Sequence, residues 1–439
     1  MPVLWTESGS EGTKVPWPYK SGLNIRVADD PPQAGPIPEQ ITEEAGITAD
    51  WEDDFRIEPL VKEGDLVAQG APVFRSRRHP EIVVTAPMAA RVATIGLGAG
   101  RRLSRIVFFR EPDAGRHAYD TGAAHKLEYP EAVREILQQT GLWRLLRSRP
   151  FGQVPQPGET PSAIVVMALD TRPSAPDPRI ALKGRELDLE RGLRALAMLT
   201  SGPMFFCQDM GSEVIDKDLL PDGGKLIRSP RQHPWGLAGH QVHALCPASP
   251  NRPVWDVHAE DVANIGAVLE TGLIPETRLV SVSGPELREQ RLVRCQPGAD
   301  LRGLSFGLAK PGQHSILSGS ALDGHEARWL GLRDRQTTVI EGQAGGHRHH
   351  WFLSALQRAS RPLPIIPTAA VDQAMGGVMP AVALLRAVAS GDSETATRLG
   401  VLSLLPEDLT LIDYVTGAGE RYSDMLATLL TRIAKEEGL

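Results

Sequence analysis

Histidines are the side chains of this sequence whose type and spacing come nearest to a metal site. His233, His240 and His243 lie within the segment RSPRQHPWGLAGHQVH. Zinc usually takes three or four ligands, with Cys, Asp or Glu beside His, whereas only histidines cluster here. We predict a strand over 242–245, and a strand reaching back to His240 would point His240 and His243 to opposite faces. The sequence therefore predicts packing or interface roles for them, and a surface loop for a second group, His347, His349 and His350.

A dinucleotide site would need a glycine-rich turn between the first strand and helix of a βαβ unit, where phosphate can approach backbone N–H groups. A strand over 164–169, a helix over 187–199 and a strand over 204–207 form such a unit. After the first strand the chain reads DTRPSAPDPRIALKGRE, with no glycine before Gly184. The glycine-rich stretch 96–100 lies in a β-rich region and predicts a hairpin tip. No dinucleotide site is therefore expected.

The cysteines offer no redox framework. Cys207, Cys246 and Cys295 lie far apart in the sequence, and none belongs to a CxxC pair. They support neither disulfides nor a four-cysteine zinc or iron–sulfur site, and they predict buried thiols in a reducing compartment. The zinc motif HExxH is also absent.

The elements that must position these residues belong to an α+β multidomain chain. Of its 439 residues, 41% are hydrophobic, and the formal net charge of -7 argues against nucleic-acid binding. No apolar run reaches the roughly 18–20 residues that cross a bilayer, and the N-terminus does not have the pattern of a secretory signal. We predict an extended arm (1–40), a barrel-sandwich unit (41–128), a helix and linker (129–160), a Rossmann-like α/β domain (161–276), a β-grasp unit (277–345) and a helical C-terminal region (346–439).

The barrel-sandwich prediction depends on two β-rich segments. VKEGDLVAQGAPVF and IVVTAPMAARVATI, with turns at Gly64-Asp65 and Ala86-Pro87, resemble the fold of biotinyl and lipoyl carriers. Those carriers present an acylated lysine at a hairpin tip. The corresponding tip here, RSRRHPE, contains no lysine, and Lys62 lies before the turn. We therefore expect a scaffold without carrier chemistry.

Several stretches in order resemble the A subunits of bacterial Na+-translocating NADH:quinone reductase (Nqr) complexes. They include GLWRLLRSRPFGQVP, ALDTRPSAPDP, HPWGLAGHQVH, HSILSGSALDG and LGVLSLLPEDLTLIDYV, spread over most of residues 20–435. The C subunit of the Rnf complex shares the same folds but carries two four-iron clusters on cysteine-rich motifs that are missing here. The flavin- and NADH-binding subunit of respiratory complex I has a glycine-rich loop that this chain lacks. The A-subunit resemblance is the one that remains.

This resemblance implies a soluble peripheral subunit without a tightly bound cofactor, on the cytoplasmic face of the bacterial inner membrane. It would dock on membrane subunits, especially B and C, while partner subunits carry flavins and iron–sulfur centres, and it would contribute to reduction of ubiquinone. The stretch SGSA at 318–321 resembles a flavin-phosphate attachment sequence, which ends in threonine in sister subunits. Because Ala321 has no hydroxyl, we expect a β-grasp turn without attached flavin.

The segment GLWRLLRSRPFGQVP contains the side chains that we expect nearest to quinone. A quinone head group needs a flat apolar wall and a donor for its carbonyl oxygens, and Trp143, Arg147 and Phe151 supply both. A helix over 130–147 would place Trp143 and Arg147 on one face, and Pro150 would turn Phe151 away. In the structural alternative, Trp143 packs a domain interface and Arg147 stabilises the helix C-terminus.

Two other functions remain open from sequence alone. The first is a stand-alone small-ligand-binding protein built from barrel-sandwich and β-grasp (SLBB) modules. The second is a flavin or NADH enzyme with an unrecognised site. Co-purification with membrane flavoproteins would argue against the first function, and an absorption spectrum without flavin or iron–sulfur bands would argue against the second.

Overall fold

The computed structural model describes residues 22–27, 35–49, 56–98, 100, 102–342, 368–417 and 421–438. Most of the predicted N-terminal arm and the predicted loop with His347, His349 and His350 lie outside these residues. No helix in the described ranges has the length and apolar character needed to cross a membrane.

The N-terminal unit consists of two small antiparallel sheets, ordered β1-β7-β6-β3 and β2-β4-β5. The predicted turns at Gly64-Asp65 and Ala86-Pro87 connect strands, and residues 61–95 contain no helix. The sheets enclose a core that includes Ile57, Phe74 and Phe108. The strands are β1 (Glu44–Thr48), β2 (Ile57–Pro59), β3 (Leu66–Val67), β4 (Pro72–Ser76), β5 (Val83–Thr85), β6 (Ala90–Leu97) and β7 (Leu103–Arg110).

The second unit is an α/β domain with the sheet order β11-β10-β9-β12-β8. Strands β9 to β12 are parallel, and β8 pairs antiparallel with β12 at the edge. Every residue of β9, AIVVM, is buried, as expected for a strand covered by helices on both faces. The elements are α1 (Gly122–His125), α2 (Pro130–Gln139), β8 (Arg147–Arg149), β9 (Ala163–Met167), α3 (Pro178–Leu182), α4 (Glu186–Ala197), β10 (Met204–Asp209), β11 (Gly224–Ser229), α5 (Ala238–Leu245), β12 (Val254–His258) and α6 (Ala259–Thr271).

Two sequence predictions in this unit are wrong. The predicted strand over 242–245 is the end of α5, because a short apolar run does not distinguish a strand from a buried helix. The predicted helix over 130–147 ends at Gln139, where Gly141 adopts a left-handed conformation with φ of 75°. A 3-10 turn, Leu142–Leu145, then leads into β8.

The third unit is a mixed five-stranded sheet with the order β14-β13-β17-β15-β16. Two of its strands span 278–283 and 291–295, and a short helix begins after Asp300, whose side chain accepts from Arg302 N and Gly303 N. Such capping satisfies donors that the first helical turn leaves open. The elements are β13 (Arg278–Ser283), β14 (Arg291–Cys295), α7 (Leu301–Ser305), β15 (His314–Ser318), β16 (His325–Glu326) and β17 (Gln336–Glu341).

The C-terminal region is helical, as predicted. Its helices share a separate apolar core that includes Leu384, Leu404, Ile412 and Leu426. Phe151 packs against this core from the α/β domain. The helices are α8 (Ala369–Ala374), α9 (Ala381–Ser390), α10 (Ser393–Arg398), α11 (Thr410–Thr416) and α12 (Tyr422–Glu436).

Helices α4 and α6 approach each other through two glycines. A Cβ atom on Gly192 would lie 1.9 Å from Val262 O, and one on Gly266 would lie 1.8 Å from Asp188 O. Both obstacles are backbone atoms, which cannot move aside as a flexible side chain can. The closeness of the two helices therefore depends on these glycines.

We predict that Gly266→Ala lowers the free energy of unfolding by about 3 kcal/mol, because the added methyl group forces the helices apart. Denaturant titration measures the effect. Gly158→Ala is the control, since a Cβ atom there would have no heavy atom within 4 Å. Equal stability of the two variants would contradict the close crossing.

Candidate functional site

A buried ionic cluster connects the edge of the α/β sheet to the C-terminal helices. The Arg149 side chain is 0% exposed, and its Nε donates to Asp256 Oδ1 at 2.6 Å. Its Nη1 donates to Asp408 Oδ2 at 2.9 Å and to Ser403 O at 2.7 Å. Arg149 therefore joins β12 to the segment that enters α11.

Arg147 extends the cluster toward the surface. Its Nη2 lies 2.9 Å from Asp256 Oδ2, and its Nη1 donates to Glu407 Oε1. Because side chains alternate along β8, Arg147 and Arg149 share one face, while Ser148 faces away and donates to Glu159. One short strand thus delivers two guanidinium groups to the same carboxylate.

The electrostatics of the cluster favour the charged forms. Burial alone would raise the pKa of Asp256, but the two neighbouring guanidinium groups outweigh it and lower that pKa. Burial opposes ionisation of Asp408 as well, yet Arg149 and His240 hold its pKa well below the usual range. A buried carboxylate is tolerated where paired donors compensate its lost hydration.

The residues predicted to approach quinone do not form one surface. Trp143 lies in the 3-10 turn, is 0% exposed, and packs edge-to-face on Trp255 with ring centroids 5.2 Å apart. Its Nε1 donates to Pro155 O at 2.8 Å. Arg147 belongs to β8, so the predicted helical face shared by Trp143 and Arg147 is wrong.

Phe151 faces the C-terminal helices and lies in the left-handed region, with φ of 80°. A positive φ is uncommon for a bulky residue and is held in place by surrounding packing. The structure therefore places Trp143 in the α/β core, Arg147 in the ionic cluster and Phe151 at the helical region.

Sequence reasoning missed Arg149, Asp256 and Asp408. The alternation Arg-Ser-Arg at 147–149 was a signal for one charged strand face. The partners of Arg149 lie more than a hundred positions away in the sequence: Asp256 is 107 residues from Arg149, and Asp408 is 259 residues from it. No local pattern identifies such partners.

The histidines occupy different surroundings. His240 lies on α5, with its Nδ1 3.7 Å from Asp408 Oδ1. His233 lies elsewhere, with its Nδ1 3.2 Å from Thr171 Oγ1. On helix α5, His240 and His243 are three residues apart, so the strand-based argument for opposite faces is wrong. Within the described residues, no group of three or more His, Cys, Asp and Glu side chains could hold a metal ion.

A second ion pair bridges the carboxyl edge of the parallel strands. The chain leaves β9 toward β10 on one side while β12 lies on the other, and such a switch point is the usual nucleotide crevice. Here Arg172, after β9, pairs with Asp170 at 2.9 Å and with Asp323 at 2.6 Å. Asp323 belongs to the turn between β15 and β16, which contains the SGSA stretch. The crevice thus contributes to a domain contact.

We predict that Arg149→Met lowers the free energy of unfolding by about 3–5 kcal/mol, because Asp256 and Asp408 lose a buried partner. Chemical denaturation followed by circular dichroism measures the loss. Arg75→Met is the matched control, since Arg75 pairs with Glu58 on the exposed surface and should change stability by less than about 1 kcal/mol. Similar losses in both variants would contradict the role of the cluster.

A second prediction concerns acid. Burial, with the nearby Arg172 charge, lowers the pKa of His233 to about 4. The unfolded chain, with a histidine pKa of about 6.5, then binds more protons between pH 6.5 and 4, so stability falls as pH falls through this window. We expect His233→Gln to remove up to about 3 kcal/mol of this loss at pH 4. Exposed His325→Gln is the control, and parallel pH profiles for His233→Gln and the unsubstituted protein would refute the prediction.

Comparisons with known proteins give the family. Family models match an NqrA N-terminal barrel-sandwich hybrid domain at 18–110, an NqrA second alpha/beta domain at 129–274 and an NQRA C-terminal domain at 279–328. The A subunit of the Na(+)-translocating NADH-quinone reductase of Alcanivorax borkumensis is 32% identical and covers 95% of this chain and 99% of the relative. The protein of that name from Histophilus somni (strain 2336) is 33% identical with the same coverage. An NAD+-reducing nickel–iron hydrogenase structure is 12% identical, with a TM-score of 0.35 over 69% of this chain and 63% of that chain, and this likeness carries no argument. The sequence resemblance is therefore confirmed: the chain belongs to the family of Na+-translocating NADH-quinone reductase A subunits.

Proposed function

We propose that this chain is a peripheral subunit of a Na+-translocating NADH:quinone reductase and that it docks on membrane subunits at the cytoplasmic face. The observation that carries the proposal is the extent of the likeness. A relative named as the A subunit of that reductase aligns over 95% of this chain and 99% of its own length. Subunits B and C are the proposed docking partners.

The proposed division of labour leaves flavins and iron–sulfur centres to partner subunits. Two features of the chain support it. The ion pair between Arg172 and Asp323 bridges the switch-point crevice of the α/β domain. Side chains of the protein therefore occupy the position where a nucleotide usually binds in such folds. The three cysteines are buried free thiols, and burial raises the pKa of Cys246 and Cys295 to about 12, which disfavours the thiolate that ligates metal.

The segment from Trp143 to Phe151 remains the proposed quinone-proximal part of the chain. Arg147 keeps 15% of its side chain exposed beside Glu407, so it can offer a charged donor from the edge of the ionic cluster. Phe151 is half-buried and offers an apolar ring. The ring of Trp143 is buried and would not contact the quinone. Its role would be to fix the position of the turn that precedes β8.

The proposal predicts that the tagged full-length chain co-purifies from detergent-solubilised membranes with membrane flavoprotein subunits and with Na+-dependent quinone reduction. Washing with high salt should weaken docking contacts between exposed charges more than buried ones. Recovery of the chain alone, from membranes whose reductase stays fully active, would contradict subunit membership.

The quinone-proximal segment is tested in that same preparation with Arg147→Lys combined with Phe151→Leu. These changes keep the positive charge and the apolar bulk but remove the planar donor and the ring. We expect a severalfold higher KM for quinone with an unchanged yield of complex. Arg110→Lys, at an exposed pair with Glu43, is the control. Unchanged quinone kinetics and unchanged crosslinking of a quinone analogue would place the site elsewhere.

A further inference from the structure

The most exposed large apolar side chain in the described part of the chain belongs to the β-grasp unit. Phe306 is 82% exposed and directly follows helix α7. Leu304 and Leu308, two residues before and after it, are buried in the core of the unit. These leucines hold the turn in place, so the packing of the unit does not need the Phe306 ring. A single exposed ring is normal by itself, and its surroundings decide what it can bind.

Three cationic residues lie next to this ring. Arg302 precedes Phe306 by four residues, and both have helical backbone conformation, so their side chains share one face. The backbone N–H of Arg288 donates to Leu308 O at 2.8 Å, and Lys310 follows two residues later. All three cationic side chains are exposed. We call Arg288, Arg302, Phe306 and Lys310 the Phe306 tip.

The cations of the Phe306 tip have no carboxylate partner among the residues that the structure describes. Neither Arg288 nor Arg302 takes part in an ion pair there, and Lys310 Nζ donates to a neutral acceptor, Pro285 O. The chain as a whole has a formal net charge of -7. Three cations without carboxylate partners on one small surface therefore differ from the average of the chain.

The carboxylates in neighbouring positions offset only part of this charge. Glu289 pairs with Arg291, and the Asp300 carboxylate accepts from backbone N–H groups of α7. Glu286 Oε2 lies 3.8 Å from Nδ1 of His314, and the Glu286 side chain is 28% exposed. Two carboxylates, Glu286 and Asp300, therefore face the three cations of the tip, and the local balance is positive.

An apolar ring among cations matches a surface that is anionic outside and apolar beneath. The interface of a phospholipid bilayer has this order, since a ring can enter the boundary of the acyl chains while Arg and Lys stay at the headgroups. An acidic site on a partner protein would also need a preformed pocket around the ring. The exposed turn, with Gly307 beside Phe306, favours lipid, because a bilayer accepts a protruding ring without such a pocket.

We propose that the Phe306 tip contacts an anionic phospholipid surface, with the ring at the boundary of the acyl chains and the three cations at the headgroups. One ring and three cations give weak, reversible binding, because stable anchoring takes two stronger signals. The tip therefore orients the chain beside another contact. Lipid binding by the tip does not depend on the proposed function, whereas its use beside membrane subunits does.

The first test uses the full-length chain and vesicles that contain no other protein. In sedimentation at low ionic strength, vesicles of phosphatidylcholine with about one third phosphatidylserine should bind at least about tenfold more tightly than phosphatidylcholine alone. High salt should abolish the difference, because it screens the lipid charges. The net charge of -7 opposes adsorption of the whole chain, so binding requires a local positive surface. No binding to the anionic vesicles, or equal binding to both kinds, would overturn the proposal.

The second test combines Phe306→Ser with Arg302→Gln. We expect the affinity for anionic vesicles to fall about tenfold or more, since an apolar and a charged contact are both lost. Thermal stability should stay unchanged because both side chains are exposed. Leu187→Ser is the matched control, since Leu187 is 79% exposed but lies between Glu186 and Asp188. Undiminished binding by the double variant, or an equal loss in the control, would overturn the proposal.

A charge control and a conservative variant locate the contact more closely. Arg77→Gln with Arg78→Gln removes two exposed cations of the barrel-sandwich unit and should lower vesicle affinity by less than about twofold. Phe306→Trp should bind at least as tightly as the unsubstituted chain, because indole rings favour the membrane interface. A larger loss from the Arg77 and Arg78 changes than from the tip variant would overturn the assignment to the tip.

A fluorescent label tests whether the ring position enters the lipid. The three native cysteines are buried, so Phe306→Cys adds an exposed thiol for an environment-sensitive fluorophore. Its emission should shift to shorter wavelength on anionic vesicles, whereas a label at Leu187→Cys should not shift. A label at position 306 that responds only to membranes containing the assembled reductase would identify a protein partner and overturn the lipid assignment.

Two outcomes separate this inference from the proposed function. Vesicle binding through the tip by a chain that does not co-purify with the reductase would support the inference and contradict the proposed function. Normal co-purification of a chain that does not bind anionic vesicles would overturn the inference and leave the proposed function standing.

Discussion

The seating of the C-terminal helices depends on one guanidinium group that water does not reach. Burying an ion costs several kcal/mol after relaxation, and only well-placed hydrogen bonds offset that cost. Arg149 obtains them from Asp256 on one side and from Asp408 and Ser403 on the other. Arg149 lies on the linker strand, Asp256 on the α/β sheet, and Asp408 and Ser403 in the helical region. These three parts of the chain therefore have to come together as a unit. Phe151, two residues further on, then reaches the helical core.

Local patterns predicted the parts of this fold that local physics decides. Turn signals identified the β-rich unit, because Gly64-Asp65 and Ala86-Pro87 lie between strands. The helix predicted over 187–199 is confirmed as α4. By contrast, α5 was predicted as a strand, since the run from 242 to 245 is too short to show its period. Strand β8 forms only by pairing with β12, which lies about a hundred residues further along the chain, so no local pattern predicts it.

The candidate sites were harder to predict than the fold for the same reason. Trp143, Arg147 and Phe151 are close in sequence, but a left-handed glycine and a short strand send them into three different environments. The ionic cluster is assembled from residues that lie far apart in the chain. A sequence can show that Asn264 is polar within an apolar helix, but it cannot show that its side-chain oxygen is buried without a hydrogen-bond partner among the described residues. The chemical types of these side chains could be predicted from the sequence, but which of them come together in the fold could not.

The α/β domain also shows how a nucleotide-type fold can serve as a scaffold. The edge at which such sheets usually receive a phosphate is here connected to the β-grasp unit through Arg172 and Asp323. Prolines replace glycines in the loop that would otherwise approach a ligand, and that loop accepts a hydrogen bond from Gln336 at Pro173 O. The same edge geometry that elsewhere binds a cofactor fixes the relative position of two domains.

Strand β8 has a consequence for how this protein can be divided or exchanged in evolution. It comes from the linker before the α/β domain, yet it covers the outer edge of β12, and Trp143 beside it covers Trp255. A fragment that began at β9 would expose a row of unpaired backbone groups and an indole face, which is a template for pairing with other chains. The smallest portion that recombination could move without producing an aggregating product therefore begins before Trp143.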